Sequence, residues 1–374
     1  MDAPSAPSAS EVRELKFQRI AGWLRRDIGD GTRPPGSRLP TEQELARIWA
    51  VSVSTVRRAV DDLVADGLVV RRQGAGTFVR ASRPDDDKRS LIGVIVPHGS
   101  FYYPQVLRGV EEVRAATGVR VQFATSDYQQ PVEARLVQEM LDAEVDGLLL
   151  VPTLSGPESA GDYLHRLGGL PVPVVLMERR GRSLDDRTEY VCSHHEAGAY
   201  DAVRHLAGLG HRAIGLALRS PSPTADPVTV GYRHAVAELG GEPVEFQAAL
   251  NEWGPATADR CLSRLREAGC TAALCFGDRQ AALLVSATRR AGLTVPGDLA
   301  LVAYDDEIAD LPDVPLTAVA PPKRLVGRTA AELLLSRLKD PGRAPHQVLL
   351  RPGITVRDSC GAKQPRESRT YAEV

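Results

Sequence analysis

The chain predicts two fold classes in succession: a small helix-turn-helix unit with a β-hairpin wing (α+β), then a two-lobed α/β body of doubly wound parallel sheets. Three observations lead there. Residues 39–79, LPTEQELARIWAVSVSTVRRAVDDLVADGLVVRRQGAGTFV, hold a short helix, a tight turn, a second helix with Ser, Thr and Arg outward, and a basic Gly-rich hairpin. From Leu91 onward, apolar strand runs alternate with helical patterns, as parallel sheets covered on both faces require. The length of 374 residues exceeds what one small core organises, so two or three domains are expected.

Residues 1–14, MDAPSAPSASEVRE, lack the basic start and apolar core of a secretion signal, and their Ser, Pro and Ala content predicts a disordered arm. A small domain then spans 15–80. Phe17, Ile20, Trp23, Leu24 and Ile28 fall at helical spacing, and Gly29, Gly31 and Pro34-Pro35-Gly36 stop that helix. Thr41 with Glu44 three residues on predicts a capping box for a helix running to about Trp49. Ser52 starts the next helix, whose buried stripe is Val56, Val60, Leu63 and Val64, and Asp66-Gly67 ends it. Leu68–Arg72 and Thr77–Arg80 form a hairpin around Gly74-Ala75-Gly76, where glycine tolerates positive φ. Residues 81–90, ASRPDDDKRS, read as a linker.

In the body, strands are expected at Leu91–Pro97, Val119–Ala124, Gly147–Val151 and Val172–Met177, with helices around Val106–Ala116 and Val132–Leu141. A second block has strands at Tyr190–Cys192, Ala213–Leu218, Phe246–Leu250, Ala272–Phe276 and Leu299–Tyr304. Its helices fall at Gly198–Leu209, Val230–Leu239, Ala258–Ala268 and Gln280–Ala291. The body spans 91–359, with lobe 1 at about 91–177 and 322–344 and lobe 2 at about 178–321 and 345–359. Residues 360–374 read as a flexible tail.

The formal net charge is -2, but it is uneven: up to Arg80 there is a modest basic excess carried by Arg25, Arg26, Arg38, Arg47, Arg57, Arg58, Arg71, Arg72 and Arg80. A small DNA module on a near-neutral sensor has that asymmetry. No run of about 18 apolar residues exists, so no membrane span is expected. The five cysteines lack any CxxC pair and read as free thiols of a reducing cytoplasm. No HExxH, no Walker-type GKS/T and no nucleophile–base pair is evident, and His194-His195 reads as a loop feature. No catalytic residue, cofactor or metal is therefore expected.

A helix read out in a DNA major groove needs short polar side chains and arginines outward and an apolar face inward. Ser52, Ser54, Thr55 and Arg57 lie on or near the leading turns of the second helix, opposite Val56, Val60 and Leu63. Arg71 and Arg72 suit phosphates, the Gly74–Gly76 tip is slim enough for a groove, and Arg38 and Arg58 complete the basic set. A winged helix used for protein contacts alone is the weaker alternative.

These residues carry a resemblance. PPGSRLPTEQELA followed by VSVSTVRRAVDDLVADGLVVRRQGAGTFV is similar to the winged helix of the GntR family of bacterial repressors, across residues 16–79. The resemblance implies DNA contacts at Gln43, Ser52, Val53, Ser54, Thr55, Arg57, Gln73 and Gly74. Gln43 and Val53 stand where many members carry arginine, so the operator sequence does not carry over; Val53 suits a thymine methyl instead. Residues 91–357 resemble the effector domain of the LacI family, built like periplasmic binding proteins. The carrying pieces are IGVIVP, VDGLLLVP, PVPVVLMER, EAGAYDAVRHLAGLGHRAIGL, FGDRQAALLVSATRRAGLTVPGDLALVAYDD and PLTAV, with Gly231-Tyr232. The combination resembles the arabinose-repressor subgroup.

Ligands of doubly wound folds bind at the carboxyl ends of the strands. The candidates there are Phe101, Tyr102 and Tyr103, then Glu178 and Arg179, then Trp253, Asp278 and Asp305. Aromatic faces stack on sugar C–H groups, and carboxylates accept from hydroxyls. The resemblance makes Trp253 the stacking platform and Asp305 the hydroxyl acceptor, with Glu178 where Asp is usual. Asp278 reads equally as ligand group or helix cap. Asp226 falls where the family often has an effector-binding arginine, which favours a neutral or cationic effector. The expected protein is a DNA-binding regulator, a repressor released from a two-fold symmetric operator by a sugar, acting as a homodimer joined through the effector domain. Alternatives are an activator, a corepressor-dependent regulator, a nucleoside-type ligand, and a solute-binding protein without DNA function. The linker lacks an apolar hinge-helix pattern.

Overall fold

The computed structural model describes residues 16–29, 32–34, 36–65, 68–72, 75–79, 90–181, 183 and 186–362. The expected arm, the linker short of Ser90, Asp66-Gly67, Gln73, Gly74, Arg80 and residues 363–374 lie outside the described residues. The chain divides into two compact units between Arg89 and Ser90.

The first unit holds α1 (Lys16–Gly29), α2 (Glu42–Ile48), α3 (Val53–Ala65) and the antiparallel pair β1 (Val69–Arg72) and β2 (Gly76–Val79). Its core joins Ile20, Ala21 and Leu24 of α1 to Leu45 of α2, to Val56, Ala59, Val60 and Leu63 of α3, and to Val69 and Val79 of the hairpin. Val64, expected in that stripe, is 37% exposed; it lies one position past the i, i+4, i+7 face that Val56, Val60 and Leu63 define. The capping box forms: the Thr41 hydroxyl accepts from Glu44 N–H at 3.2 Å, and the Thr41 N–H donates to the Glu44 carboxylate at 2.8 Å. Both satisfy helix-end groups that would otherwise be orphaned.

The second unit runs β3 (Leu91–Val96), α4 (Tyr103–Thr117), β4 (Arg120–Thr125), α5 (Gln130–Asp142), β5 (Gly147–Leu150), α6 (Ala160–Gly168), β6 (Val174–Met177) and β7 (Glu189–Ser193). There follow α7 (His195–Gly208), β8 (Ile214–Arg219), α8 (Ala225–Glu238), β9 (Val244–Ala248), α9 (Pro255–Glu267), β10 (Ala272–Cys275), α10 (Asp278–Arg290) and β11 (Ala300–Tyr304). The last are β12 (Thr317–Ala320), α11 (Lys323–Lys339), β13 (Gln347–Leu350) and β14 (Gly353–Thr355). Two sheets form, in the orders β13-β7-β6-β5-β3-β4 and β14-β12-β11-β10-β8-β9. All pairs are parallel except β12 with β14. Period-two alternation fills both faces of the first sheet: Ile92, Val94 and Val96 enter one core and Ile95 the other, and Leu149 and Val151 oppose Leu148 and Leu150.

The lobe boundary needs correction. The expected division places 178–321 and 345–359 in lobe 2. Yet β7 pairs with β6 (Val175↔Glu189 to Met177↔Val191) and β13 pairs with β7, so residues 189–193 and 347–350 complete the sheet of lobe 1. Strand–helix alternation marks each strand but not the sheet it joins. The tail also begins later than expected, because Cys360 is 1% exposed in the lobe 2 core and Ala362 packs against it. The chain crosses between lobes after β7, between β12 and α11, and between β13 and β14. Close helix crossings buttress each lobe: a Cβ on Gly327 of α11 would meet the Val106 carbonyl of α4 at 1.9 Å, and one on Gly231 of α8 would meet the Glu196 carbonyl at 1.9 Å.

Candidate functional site

In the first unit, Ser52 organises the start of α3. Its Oγ accepts from Thr55 N–H at 3.2 Å and is hydrogen-bonded to the hydroxyls of Ser54 (2.8 Å) and Thr55 (2.7 Å). Gln43, Ser54 and Arg57 are exposed, and Val53 is half-buried against the core. The Arg57 Nε donates to Glu42 Oε2 at 3.0 Å, and the same carboxylate accepts from Arg71 at 3.2 Å through Oε1. Arg71 also reaches Asp61 at 2.5 Å. Glu42 thus ties α2, α3 and the wing together, a role that nothing in the sequence reading anticipated.

Two other arginines are engaged within the unit. The Arg58 guanidinium lies 4.1 Å from the Phe17 ring, which holds α3 on α1, and that of Arg72 lies 5.0 Å from the Phe78 ring. Arg38 packs on the wing, 2.8 Å from where a Cβ on Gly76 would stand; Gly76 has φ +113°, so any side chain there would be strained and obstructed. The exposed face therefore presents Gln43, Ser54 and Arg57 with the basic wing beside them.

In the second unit, a cleft of about 1680 Å³ lies between the lobes. Its walls include Glu178, Arg179, Ser193, His195, Ser220 and Asp226. Tyr102, Arg219, Asp278, Asp305 and Trp253 are not on that wall; the polar and charged groups around Glu178 and Asp305 form a tighter cluster at the strand ends. The Glu178 carboxylate accepts from the Tyr102 hydroxyl at 2.6 Å, from Ser193 N–H at 3.0 Å and from Ser193 Oγ at 3.1 Å. Burial pushes the Glu178 carboxyl up from its usual range, these donors pull it back, and Asp305 across the cleft adds a further push.

Asp305 follows β11 with φ +97°. Its Oδ2 lies 3.4 Å from the Arg219 guanidinium, and the Lys323 ammonium donates to its backbone carbonyl and pairs with Glu307. Burial raises its carboxyl, while Arg219 and Lys323 lower it. Lys323 also lies 5.0 Å from the Tyr102 ring. His195 opens α7 with its Nδ1 3.1 Å from the Tyr304 hydroxyl. Burial takes its pKa down to about 3, so the ring is neutral and its 3.8 Å approach to Glu178 is a contact rather than an ion pair. Across the lobes, Arg180 pairs with Glu196 at 3.4 Å.

The remaining candidates separate. Tyr103 is 4% exposed, with its hydroxyl 3.1 Å from that of Tyr128, and Arg179 reaches it at 3.5 Å. Phe101 is 71% exposed with φ +54°. Asp226 is exposed in the first turn of α8. Trp253 does not present an open platform: it is 4% exposed, its indole N–H donates to the Leu218 carbonyl at 3.2 Å, and Phe246 packs edge-on at 5.9 Å. Asp278 caps a loop, with Oδ2 accepting from Glu307 N–H (2.6 Å) and Ile308 N–H (3.0 Å). Sequence reasoning missed Arg219, Ser193 and Lys323. Arg219 and Ser193 end strands, so the strand-end rule applied to every strand would have found them. Among the described residues no His, Cys, Asp or Glu group is placed to hold a metal ion.

Comparison with known proteins agrees with this architecture. Residues 16–79 match the model for bacterial regulatory proteins of the gntR family, and residues 203–360 match a periplasmic binding protein-like domain. An arabinose metabolism transcriptional repressor of Geobacillus stearothermophilus is 30% identical over 356 residues, which cover 91% of this chain and 95% of that one. The chain belongs to the GntR family of bacterial transcriptional regulators. The namesake repressor of Halalkalibacterium halodurans is 27% identical over 365 residues, 92% of this regulator and 96% of its relative. The solved transcription regulator GntR of Chromobacterium violaceum is 25% identical with a TM-score of 0.60, covering 73% of this regulator and all of that chain. This GntR-family member is accordingly a DNA-binding transcription regulator with a ligand-binding domain, and its relatives are regulators rather than enzymes. Among the described residues no helix is long and apolar enough to cross a membrane.

Proposed function

We propose that this regulator is a homodimeric repressor that leaves a two-fold symmetric operator when a neutral polyhydroxyl effector, a sugar, closes the cleft between its lobes. The observation that carries the reading is the pair of buried carboxylates facing each other from opposite lobes, Glu178 and Asp305, among Arg179, Arg219 and Lys323. With Glu307 on Lys323 the cluster holds three carboxylates against three cations, so a neutral ligand bound by hydroxyls costs less than an anion. Asp226 in the first turn of α8 adds negative charge to the cleft wall. The names of the relatives, which refer to arabinose metabolism, point to the same chemistry.

The mechanism follows from the connections. Among the described residues three chain crossings join the lobes, so a ligand bridging Glu178 and Asp305 draws them together about those crossings. Two joined sensors hold two readers at a fixed half-site spacing, and closure alters that spacing. The DNA contacts fall on Gln43, Ser52, Val53, Ser54, Thr55 and Arg57, with Arg38, Arg58, Arg71, Arg72, Gln73 and Gly74 serving phosphates and the wing. Operator duplexes selected from random DNA by the purified protein provide the test. L-arabinose, or another neutral sugar from a small panel, is expected to release the duplex in a gel shift. Release by sugar phosphates alone, or by no sugar, overturns the reading.

A further inference from the structure

Both lobes share one strand order. In lobe 2 the first strand of the wind, β8, has β9 on one side and β10, β11 and β12 on the other. The order reverses between β8 and β10, and the carboxyl ends that flank such a reversal form the crevice in which doubly wound folds bind ligands. Arg219 ends β8 and Asp278 follows β10, so both stand at the strand ends that flank the reversal; Ser220, next to Arg219 in sequence, lines the large opening, whereas Arg219 and Asp278 are not on its wall.

Two polar atoms there lack partners. The Nε of Arg219 and the Oδ1 of Asp278 are buried and have no hydrogen-bond partner among the described residues. Nearly all buried polar atoms of a folded protein are satisfied, so an unmatched donor and an unmatched acceptor together call for an explanation. Neither side chain is adrift. The Arg219 guanidinium is stacked 4.7 Å from the Phe276 ring and tethered to Asp305. Asp278, 4% exposed, is pinned through Oδ2 by two backbone N–H groups. Each is fixed by its other atoms and keeps one hydrogen-bonding position unused. Gly277 between them has φ +106°, and its missing side chain leaves that space to the Gln280 amide and to Arg219, whose Nε lies 3.6 Å from where a Cβ would stand.

We propose that Arg219 and Asp278 form a hydroxyl-binding subsite of the effector cleft, in which Arg219 Nε donates to, and Asp278 Oδ1 accepts from, hydroxyl groups of a neutral polyol. A hydroxyl both accepts and donates, so a polyol can serve an unmatched donor and an unmatched acceptor at once, whereas an ionised phosphate only accepts and an ammonium only donates. Arg219 is a binding residue here and not only the counter-charge of Asp305. The proposal rests on the reading of the cleft as a sugar site and adds the groups that recognise the sugar.

Asp278→Asn separates the two. The amide oxygen stays on the N–H groups of residues 307 and 308, so the NH₂ replaces Oδ1 and turns the acceptor into a donor at unchanged volume. Arg219→Met keeps the apolar stem and removes Nε together with the guanidinium's stacking on Phe276 and its tie to Asp305, so Asp278→Asn is the cleaner of the two variants. Calorimetric titration of full-length wild type and both variants with L-arabinose, cellobiose and glucose 6-phosphate, with ligand-free melting as the folding control, gives the answer. The expected result is that a neutral sugar binds wild type, and that each variant melts as a folded protein but binds that sugar about 10- to 100-fold more weakly, the loss expected for a hydrogen bond to a charged group. Wild-type affinity in both folded variants overturns the subsite and leaves the sugar reading standing. Binding of glucose 6-phosphate alone, or of none of the three, overturns both.

Discussion

Replacing Glu42 with glutamine removes the one carboxylate that holds both Arg57 and Arg71, two arginines of the proposed DNA-reading face. The carboxylate holds Arg57 at 3.0 Å and Arg71 at 3.2 Å, with side-chain exposures of 24% for Glu42, 61% for Arg57 and 42% for Arg71. At these exposures each pair contributes at most about 1 kcal/mol, so the fold survives the change. The effect falls on recognition. Arg71 retains Asp61, but Arg57 loses its anchor. A freed arginine meets any phosphate, which steepens the salt dependence of non-specific binding by about one counterion. It also loses the fixed direction from which a base edge is read, and an oriented arginine contact is worth roughly 1–3 kcal/mol. The ratio of operator to scrambled-duplex affinity is therefore expected to fall about 10-fold in Glu42→Gln. Fluorescence anisotropy with both duplexes over a series of KCl concentrations measures ratio and slope together. An unchanged ratio with an unchanged slope refutes the idea that Glu42 positions the reader.

Three further outcomes are expected. Gly327→Ala places a methyl 1.9 Å from the Val106 carbonyl, so α4 and α11 must part; the cost exceeds the ~1 kcal/mol gain in helix propensity, and a raised urea midpoint would contradict the close crossing. Trp253→Phe removes the hydrogen bond to Leu218 and should cost about 1–2 kcal/mol in denaturant melts while leaving L-arabinose affinity within about 2-fold, whereas a large affinity loss at unchanged stability would restore Trp253 as a ligand platform. Burial chiefly raises the Asp278 pKa from 3.8 to about 6, so the folded protein holds this proton more tightly than the unfolded chain, and the cost of ionising it grows as pH rises from about 4 to about 6. The stability of Asp278→Asn relative to wild type should accordingly rise over that window, by up to about 3 kcal/mol, and a flat difference between pH 4 and pH 7 would show that Asp278 titrates normally.

The fold of the first unit was legible because its signals are local: Thr41 and Glu44 cap each other, Val56, Val60 and Leu63 share a face, and Gly76 in the wing takes the positive φ that glycine tolerates. The alternation of the body was equally legible. Its sheet membership was not, since β7 and β13 look like any strand in sequence and join lobe 1 only through long-range pairing. Of the effector candidates, Tyr102, Glu178 and Asp305 come together at the strand ends. Trp253 failed because an aromatic at a strand end serves packing as readily as stacking, and its indole N–H found a backbone carbonyl. Glu42 was not legible because it acts through partners distant in sequence, Arg57 and Arg71, whereas Arg219, at the end of β8, lay within reach of the strand-end rule.

The central claim is that one chain couples a DNA reader to a ligand cleft. Coupling between two sites is reciprocal, so the factor by which a sugar weakens operator binding must equal the factor by which the operator weakens sugar binding. Calorimetric titration of the full-length protein with L-arabinose, free and saturated with selected operator duplex, measures this directly. The account predicts weaker sugar binding on the operator by about 5- to 150-fold, the usual range for such coupling. Equal affinity in the two titrations would contradict it.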